Sequence, residues 1–324
     1  MVRDGIARNN FVIVGRAGID FFTDPGVALE DAERLTVDLG GSSANIGAGL
    51  CKLGGKAALV TRVSDDSIGS YCTRRLQHYG VDTRYVRPVG GEYRNSLAVY
   101  ESVTQNHRNV IYRNGAADFQ MEAGDVEAVD YAAYGALITA GTVFAAEPSR
   151  GATFRAFELA RTAGLPIIFD VDYRPYSWPS PQVASDVLSS AAAESDVIVG
   201  NDEEFGFMAG DYDLGLAKAR ELAATSAAIV VYKMGPEGAV TFAEGQEIRT
   251  GIFPVEALKP TGAGDSFMAG FLSSLAAGHD LKSAVLRGSA CASITVSKPG
   301  CAPAMPTGPE LEHFLSTHPG PTEA

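Results

Sequence analysis

Long apolar runs are missing from these 324 residues. No stretch approaches the roughly 20 consecutive apolar residues that span a bilayer, and Met1-Val2-Arg3-Asp4-Gly5 lacks the apolar core of a signal peptide. The expectation is a cytoplasmic chain with no membrane partner. Cysteine is scarce. Cys51, Cys72, Cys291 and Cys301 are scattered without a CxxC pair, and Cys51 and Cys291 fall within helical apolar patterns, which predicts packing rather than disulfides or a zinc site. Basic residues are outnumbered, 26 Lys and Arg against 39 Asp and Glu, for a net charge of −13. Without a basic cluster to release counterions from a phosphate backbone, a nucleic-acid partner is not expected. A small anionic substrate is compatible with this charge, because a few convergent arginines and a magnesium ion set the local field.

Two phosphate-binding signatures are also absent. Gly55-Lys56 is followed by Ala57, and the glycine that a P-loop needs upstream is Leu50. Gly15-Arg16-Ala17-Gly18-Ile19-Asp20 has the wrong spacing for a dinucleotide fingerprint. P-loop NTPases and nicotinamide dehydrogenases recede accordingly.

The chain does hold ample core material, 46% hydrophobic, enough for one large α/β domain. Apolar strand-like runs at 11–15, 57–63, 136–140, 166–171, 196–200 and 228–233 alternate with helical patterns at 42–53, 68–79, 150–163, 182–194, 214–225, 266–277, 281–296 and 309–317. This alternation predicts a mostly parallel sheet covered by helices on both faces. Gly54, Gly80, Gly164 and Gly278 stand where helices end. Two segments, about 16–38 and 90–121, break the rhythm and read as strands and turns, such as Ser96-Leu97-Ala98-Val99-Tyr100 and Val110-Ile111-Tyr112-Arg113.

The most informative stretch is Pro260-Thr261-Gly262-Ala263-Gly264-Asp265, running into the apolar helical pattern of Phe267, Met268, Phe271, Leu272 and Leu275. Small residues leave the first N–H groups of that helix open to an anion, a phosphate or a developing negative charge. A carboxylate there repels such a ligand unless it has a task. Taking the proton from a hydroxyl that attacks a phosphoryl group is the obvious one, against the plain alternative of a helix cap.

Thr261-Gly262-Ala263-Gly264-Asp265-Ser266-Phe267, Leu39-Gly40-Gly41-Ser42-Ser43-Ala44-Asn45-Ile46-Gly47 and Asn201-Asp202-Glu203-Glu204 together resemble the three signatures of the ribokinase-like (PfkB) sugar kinases, in that family's order and across nearly the whole chain. The resemblance implies a ribokinase-like three-layer α/β fold, with segments 16–38 and 90–121 forming a small β lid inserted in a single domain spanning 1–324. A lid excludes water that would otherwise hydrolyse ATP. It further implies Asp20, Gly40, Gly41 and Asn45 at the sugar, and Asp265 as base above an anion hole of Gly262, Ala263 and Gly264. On the nucleotide side it implies Asn201, Lys233, Gly235, Gly238, Thr261, Gly262, Gly264 and Cys291 at ATP, and Glu204 holding Mg2+ through water.

Tyr112-Arg113 and Asp170-Val171-Asp172-Tyr173-Arg174-Pro175 bring two guanidinium groups that a neutral sugar does not need, which points to a sugar acid bound by Tyr112, Arg113 and Arg174, or to one arginine on its carboxylate and the other on the transferring phosphoryl group, against the plain alternative of two solvated arginines. With Gly15 to Asp20 and Lys259 these elements look like the branch of the family that phosphorylates 5-dehydro-2-deoxygluconate in inositol catabolism. The 2-keto-3-deoxygluconate kinases share the arginine elements but usually carry Asn where Asp172 stands, while Asn201 departs from the Gly-Thr more usual in the first branch, so both substrates stay open. Many family members bind a monovalent cation with an Asp at the position of Lys259; a lysine ammonium could supply that charge covalently, or be a surface lysine. Other readings are a fructokinase, ribokinase, phosphofructokinase or nucleoside kinase of the same fold, or a sugar or nucleotide sensor without catalysis. An open lid edge suits a homodimer.

Overall fold

The computed structural model describes residues 2–102 and 108–323. Within them the strands are, in chain order, β1 (Asn10–Val14), β2 (Gly18–Phe22), β3 (Thr36–Gly40), β4 (Lys56–Ser64), β5 (Val86–Val89), β6 (Leu97–Tyr100), β7 (Asn109–Tyr112), β8 (Ala136–Ala140), β9 (Ile167–Asp170), β10 (Val197–Asn201), β11 (Ile229–Lys233), β12 (Ala239–Ala243) and β13 (Gln246–Thr250). The helices are α1 (Val2–Ala7), α2 (Ser42–Lys52), α3 (Ser67–His78), α4 (Ala123–Glu127), α5 (Ser149–Thr162), α6 (Pro181–Ala193), α7 (Asp202–Ala209), α8 (Gly215–Thr225), α9 (Ala263–Ala276), α10 (Leu281–Val296) and α11 (Gly308–Thr317).

Nine strands form one sheet in the order β13-β12-β11-β10-β9-β8-β1-β4-β5. From β11 to β5 every neighbouring pair is parallel, and β12 and β13 add an antiparallel edge. Successive residues of a strand face opposite sides. β1 therefore sends Val12 and Val14 into one core with Phe157, Phe169 and Leu188, and Phe11 and Ile13 into a second with Ile46, Phe271 and Leu272. Helices cover both faces, so the strands read as unbroken apolar runs.

The expected strands and helices are all present, with ends shifted by a few residues. α9 differs most usefully: it starts at Ala263 rather than Ser266, so the small residues lie inside its first turn. Gly54, Gly80, Gly164 and Gly278 end α2, α3, α5 and α9 with positive φ. The sequence reading passed over β5, the β12–β13 hairpin, and the helices α1, α4 and α7. The hairpin turns on Glu244-Gly245, with φ of 53° and 72°, a two-residue turn whose Gly was the available signal. The four cysteines are free, as expected. Among the described residues no helix is long and apolar enough to cross a membrane.

Outward from β1 the order runs to β4 and β5 on one side and to β8 through β11 on the other, so it reverses between β1 and β8. Open α/β sheets bind ligands outside the carboxyl ends of their strands at such a switch. Arg16, Thr142, Asp172, Asn201 and Lys233 lie at or just beyond those ends.

A second sheet, β3-β2-β6-β7, comes from the two irregular segments, although residues 103–107 of the second segment lie outside the described residues. β2 pairs antiparallel with β3 and parallel with β6, and β6 antiparallel with β7. Asn95 ties this sheet to the large one. Its Oδ1 accepts from the Ser64 backbone N–H at 2.6 Å and from Ser64 Oγ at 2.8 Å, while its Nδ2 donates to Ala17 O at 3.1 Å. Asn95→Ala strands the Ser64 N–H and Ala17 carbonyl in the interior, each costing about 1–3 kcal/mol, so urea denaturation should show a loss of about 2–4 kcal/mol. A loss below about 1 kcal/mol would show that the tie is dispensable.

Candidate active site

The amino end of α9 is built for an anion. Gly262 precedes it with φ 83°, a left-handed conformation that L side chains avoid, and a Cβ there would lie 3.2 Å from Cys301 Sγ. Ala263 N–H reaches Pro260 O only at 3.4 Å, and the N–H groups of Gly264 and Asp265 have no acceptor among the described residues. Lys233, at the end of β11, reaches over this turn: its Nζ would lie 3.5 Å from a Cβ placed on Gly264. From the other side comes Lys259, which is buried. Its Nζ donates to Thr261 O at 2.7 Å and to Thr295 O at 3.4 Å, which excludes a surface lysine. Burial pulls its pKa down, while Cys301, Asp265, Asp20 and Asp38 act in the opposite direction.

Asp265 sits on the first turn of α9 and accepts a hydrogen bond from Asn45 Nδ2 of α2 at 2.9 Å. The two helices meet closely one turn later, where a Cβ on Gly49 would lie 2.7 Å from Ala269 Cβ. Asn45 and Gly49, like Asp265 and Ala269, are four residues apart and share a helix face, so this approach sets the reach between amide and carboxylate. Burial, then the Asp172 charge, push the Asp265 pKa up to about 6, against the Asn45 hydrogen bond and the charges of Arg174 and Arg16.

Asp172 occupies the loop after β9 with φ 35°, an uncommon conformation for a side-chain-bearing residue. Its Oδ1 pairs with Arg174 Nη2 at 2.7 Å and its Oδ2 accepts from Thr142 Oγ1 at 3.3 Å. Although burial opposes the charge, Arg174, Arg16 and Arg113 keep this carboxyl below the usual range.

Asp20 stands in the middle of β2, opposite Asp38 of β3. The carboxylate fills the space beside Gly40, where a Cβ would come within 2.1 Å of Asp20 Oδ1. Gly41 follows with φ 99° and begins α2. Burial raises the Asp20 pKa to about 7, with Asp265 and Asp38 adding to the rise and Arg16 opposing it. Arg16 had been read only as part of a motif. Here it is buried beside Asp20, donating Nη1 to Ser96 Oγ at 3.0 Å.

Arg113 is also buried, but it is engaged: Nη2 pairs with Asp118 Oδ2 at 2.5 Å, Nη1 donates to Thr142 O at 2.9 Å, and the guanidinium stacks on Phe119. Tyr112 ends the edge strand β7 and is 61% exposed, so the structure does not bring it into this cluster.

At the carboxyl end of β10, Asn201 and Glu204 form a reciprocal cap on α7: Asn201 Oδ1 accepts from Glu204 N and Glu204 Oε2 from Asn201 N, both at 2.8 Å. Glu204 Oε1 accepts only from Tyr173 N, at 3.3 Å. Gly235 and Gly238 lie in the turn between β11 and β12. Cys291, expected at the nucleotide, has its side chain fully buried between α10 and Gly270 of α9, where a Cβ would meet its Sγ at 2.6 Å, so the thiol packs the two helices.

Known proteins resemble this chain in sequence and in fold. The chain is 35% identical over 313 residues to 5-dehydro-2-deoxygluconokinase of Photobacterium profundum, covering 94% of each chain. A fructokinase with bound ATP from Xylella fastidiosa superposes with a TM-score of 0.85 at 20% identity, over 95% of this chain and 98% of that one. A fructokinase from Vibrio cholerae O395 in a form with fructose, ADP and calcium ion bound gives 0.83 at 23% identity, over 95% and 99%. The two fructokinases establish the ribokinase-like fold, and the description "pfkB family carbohydrate kinase" fits residues 8–308. This chain, from its glycine turns to the Asp265 helix, belongs to the pfkB family of carbohydrate kinases.

Proposed function

We propose that this chain transfers the γ-phosphoryl group of ATP to the primary hydroxyl of 5-dehydro-2-deoxygluconate. The observation that carries the chemistry is the Asp265 carboxylate, hydrogen-bonded to Asn45 and raised to a pKa of about 6 at the mouth of the α9 anion hole. A base of that strength is mostly ionised at neutral pH yet still accepts a proton readily. The substrate rests on the arginines at the carboxyl edge and on the name of the relative at 35% identity.

Asp265 takes the proton of the attacking hydroxyl, and Asn45 fixes its carboxylate toward that hydroxyl. The N–H groups of Gly262 to Asp265 and the Lys233 ammonium bind the charge that spreads over the transferring phosphoryl oxygens. Asp20, Gly40, Gly41 and Asn45 hold the sugar hydroxyls; Asp20 Oδ1 and Asn45 Oδ1 are buried with no hydrogen-bond partner among the described residues. Such atoms need a polar ligand. The second sheet closes over this pocket and keeps water from the phosphoryl group.

Glu204 suits a magnesium ion held through water. One of its oxygens is spent on the α7 cap, the other is lightly used, and no group of three or more His, Cys, Asp or Glu that could enclose a metal exists among the described residues. Mg2+ keeps its waters and binds through few protein carboxylates plus phosphates, where it neutralises phosphate charge. Asn201, Thr261, Gly235 and Gly238 stand on the nucleotide side of the same edge.

ADP release measured over 5-dehydro-2-deoxygluconate, 2-keto-3-deoxygluconate, fructose and ribose tests the substrate. The first should give the highest kcat/KM; a neutral sugar that outperforms both acids refutes the acid-sugar reading.

Asp265→Asn should lower turnover by about 10²–10⁴ with ADP affinity nearly intact. Retention of more than a tenth of wild-type turnover would remove Asp265 from the mechanism. The wild-type kcat should fall about tenfold per pH unit below pH 6 and level off above pH 7, since the ionised carboxylate is the base.

The same shifts govern stability. Folding raises the Asp265 and Asp20 pKa values above their unfolded values near 4, so the folded chain holds protons that the unfolded chain releases. The contribution of these two groups to stability therefore falls as pH rises from about 4 to 7. Asp265→Asn removes part of this cost and should melt a few degrees higher than wild type at pH 8, by calorimetry.

Lys259 supplies a fixed positive charge against the Thr261 and Thr295 carbonyls. Turnover should thus be nearly the same in potassium and in tetramethylammonium at matched ionic strength, and strong potassium activation would contradict this.

A further inference from the structure

Three arginines stand near the carboxyl edge of the large sheet, and two are already occupied. Arg113 is clamped by Asp118 and the Thr142 carbonyl, and Arg174 by Asp172. Arg16 differs. It is 9% exposed, and its single side-chain hydrogen bond among the described residues goes to the neutral Ser96 hydroxyl, so no carboxylate pairs with it there; its Nε, like that of Arg113, is buried with no acceptor among them. The carboxylates around it are Asp118, Asp20 and Asp172, with Asp265 also within its field. Arg113 neutralises the first and Arg174 the third, while Asp20, with a pKa of about 7, carries only part of a charge at neutral pH.

Arg16 also has a fixed frame. It follows β1 at the point where the strand order reverses, and Gly41 packs on its carbonyl, where a Cβ would meet Arg16 O at 2.6 Å. The same crowding recurs at Gly18, where a Cβ would lie 2.6 Å from Ser96 Oγ, the partner that orients the guanidinium. The unpartnered atoms Asp20 Oδ1, Asn45 Oδ1 and Ser43 Oγ come from β2 and the first turns of α2, where Gly40 packs on Asp20, Gly41 on Arg16 O and Gly15 on Ser43. A ligand that satisfies all of them offers hydroxyls to the carboxylate and amide oxygens and an anionic oxygen to Arg16.

We propose that Arg16 is the specificity-determining residue that binds the carboxylate of the sugar acid, with Arg113 and Arg174 serving to shape the pocket through their own carboxylate partners. This rests on the acid-sugar reading above. The substrate then lies with its reacting hydroxyl at Asp265 and its acid end between β1 and the second sheet.

The test compares 5-dehydro-2-deoxygluconate with its methyl ester, which keeps the reacting hydroxyl and loses the charge. In Arg16→Gln the kcat/KM for the acid should fall tenfold to a few hundredfold, mainly through KM, with the ester little affected and ADP affinity unchanged. Arg16→Lys retains a positive charge beside Asp20 and Ser96, which keeps the test open if the Gln variant folds poorly; it should recover part of the acid preference. Arg113→Lys and Arg174→Lys should lower acid and ester by similar factors. Equal losses for acid and ester in both Arg16 variants, or a preference that collapses only in the Arg113 or Arg174 variant, overturn the assignment to Arg16 while the wild type still prefers the acid. A wild type that prefers the ester overturns the acid-sugar reading and this assignment together.

Discussion

The close approach of α2 and α9 is the constraint on which the site depends. At Gly49 the two helices come near enough that a Cβ would collide with Ala269, and one turn earlier the same geometry brings the Asn45 amide to 2.9 Å from the Asp265 carboxylate. Both helices begin at glycine turns, Gly41 and Gly262, so their amino ends open toward one small volume. The positive ends of two helices and the side chains on their first turns therefore act on the same ligand. Moving either helix by a fraction of a turn would separate amide from carboxylate and carry the anion hole away from the sugar.

Around that volume the chain accepts local costs that a core optimised for stability would avoid. Asp20 faces Asp38 across a strand pair, a like-charge arrangement, and burial raises both carboxyl groups. Asp172 holds a left-handed backbone, and buried polar atoms of Arg16, Asp20, Ser43, Asn45, Arg113 and Asp118 have no partner among the described residues. These features gather where strand order reverses and where the second sheet meets the first. Strain and unmet hydrogen bonds concentrated in one place fit a preorganised pocket, since the ligand supplies the missing partners.

Lys259 and Lys233 approach the α9 amino end from opposite sides, and their roles differ. Lys259 is buried against two carbonyls and fixes the turn before the helix, while Lys233 stands over Gly264 at the end of β11. The first is a fixed structural charge. The second is placed to meet an arriving phosphate. Glu204 divides its carboxylate in the same spirit, one oxygen holding α7 and the other left lightly bonded. The Asn-x-x-Glu spacing thus has a complete local explanation as a helix cap, with which metal binding is compatible.

Residue order alone determined the layering, because a strand buried on both faces is an apolar run and a covering helix has its own period. It also marked the α9 anion end, since Gly262 and Gly264 beside Asp265 leave backbone N–H groups open without any help from distant residues. What tertiary structure decided is who pairs with whom. Arg113 read in sequence as a free guanidinium, yet Asp118 and Thr142 occupy it; Arg16 passed as part of a glycine turn, yet it lies buried with an unmet donor. Cys291 is sealed between two helices, and Asp20 rides a strand of the second sheet. Arg113 finds Asp118 five residues on and Thr142 29 residues on, Arg16 finds Ser96 80 residues on, and Asn45 meets Asp265 at a separation of 220, and no local pattern encodes which buried charge has already found its partner.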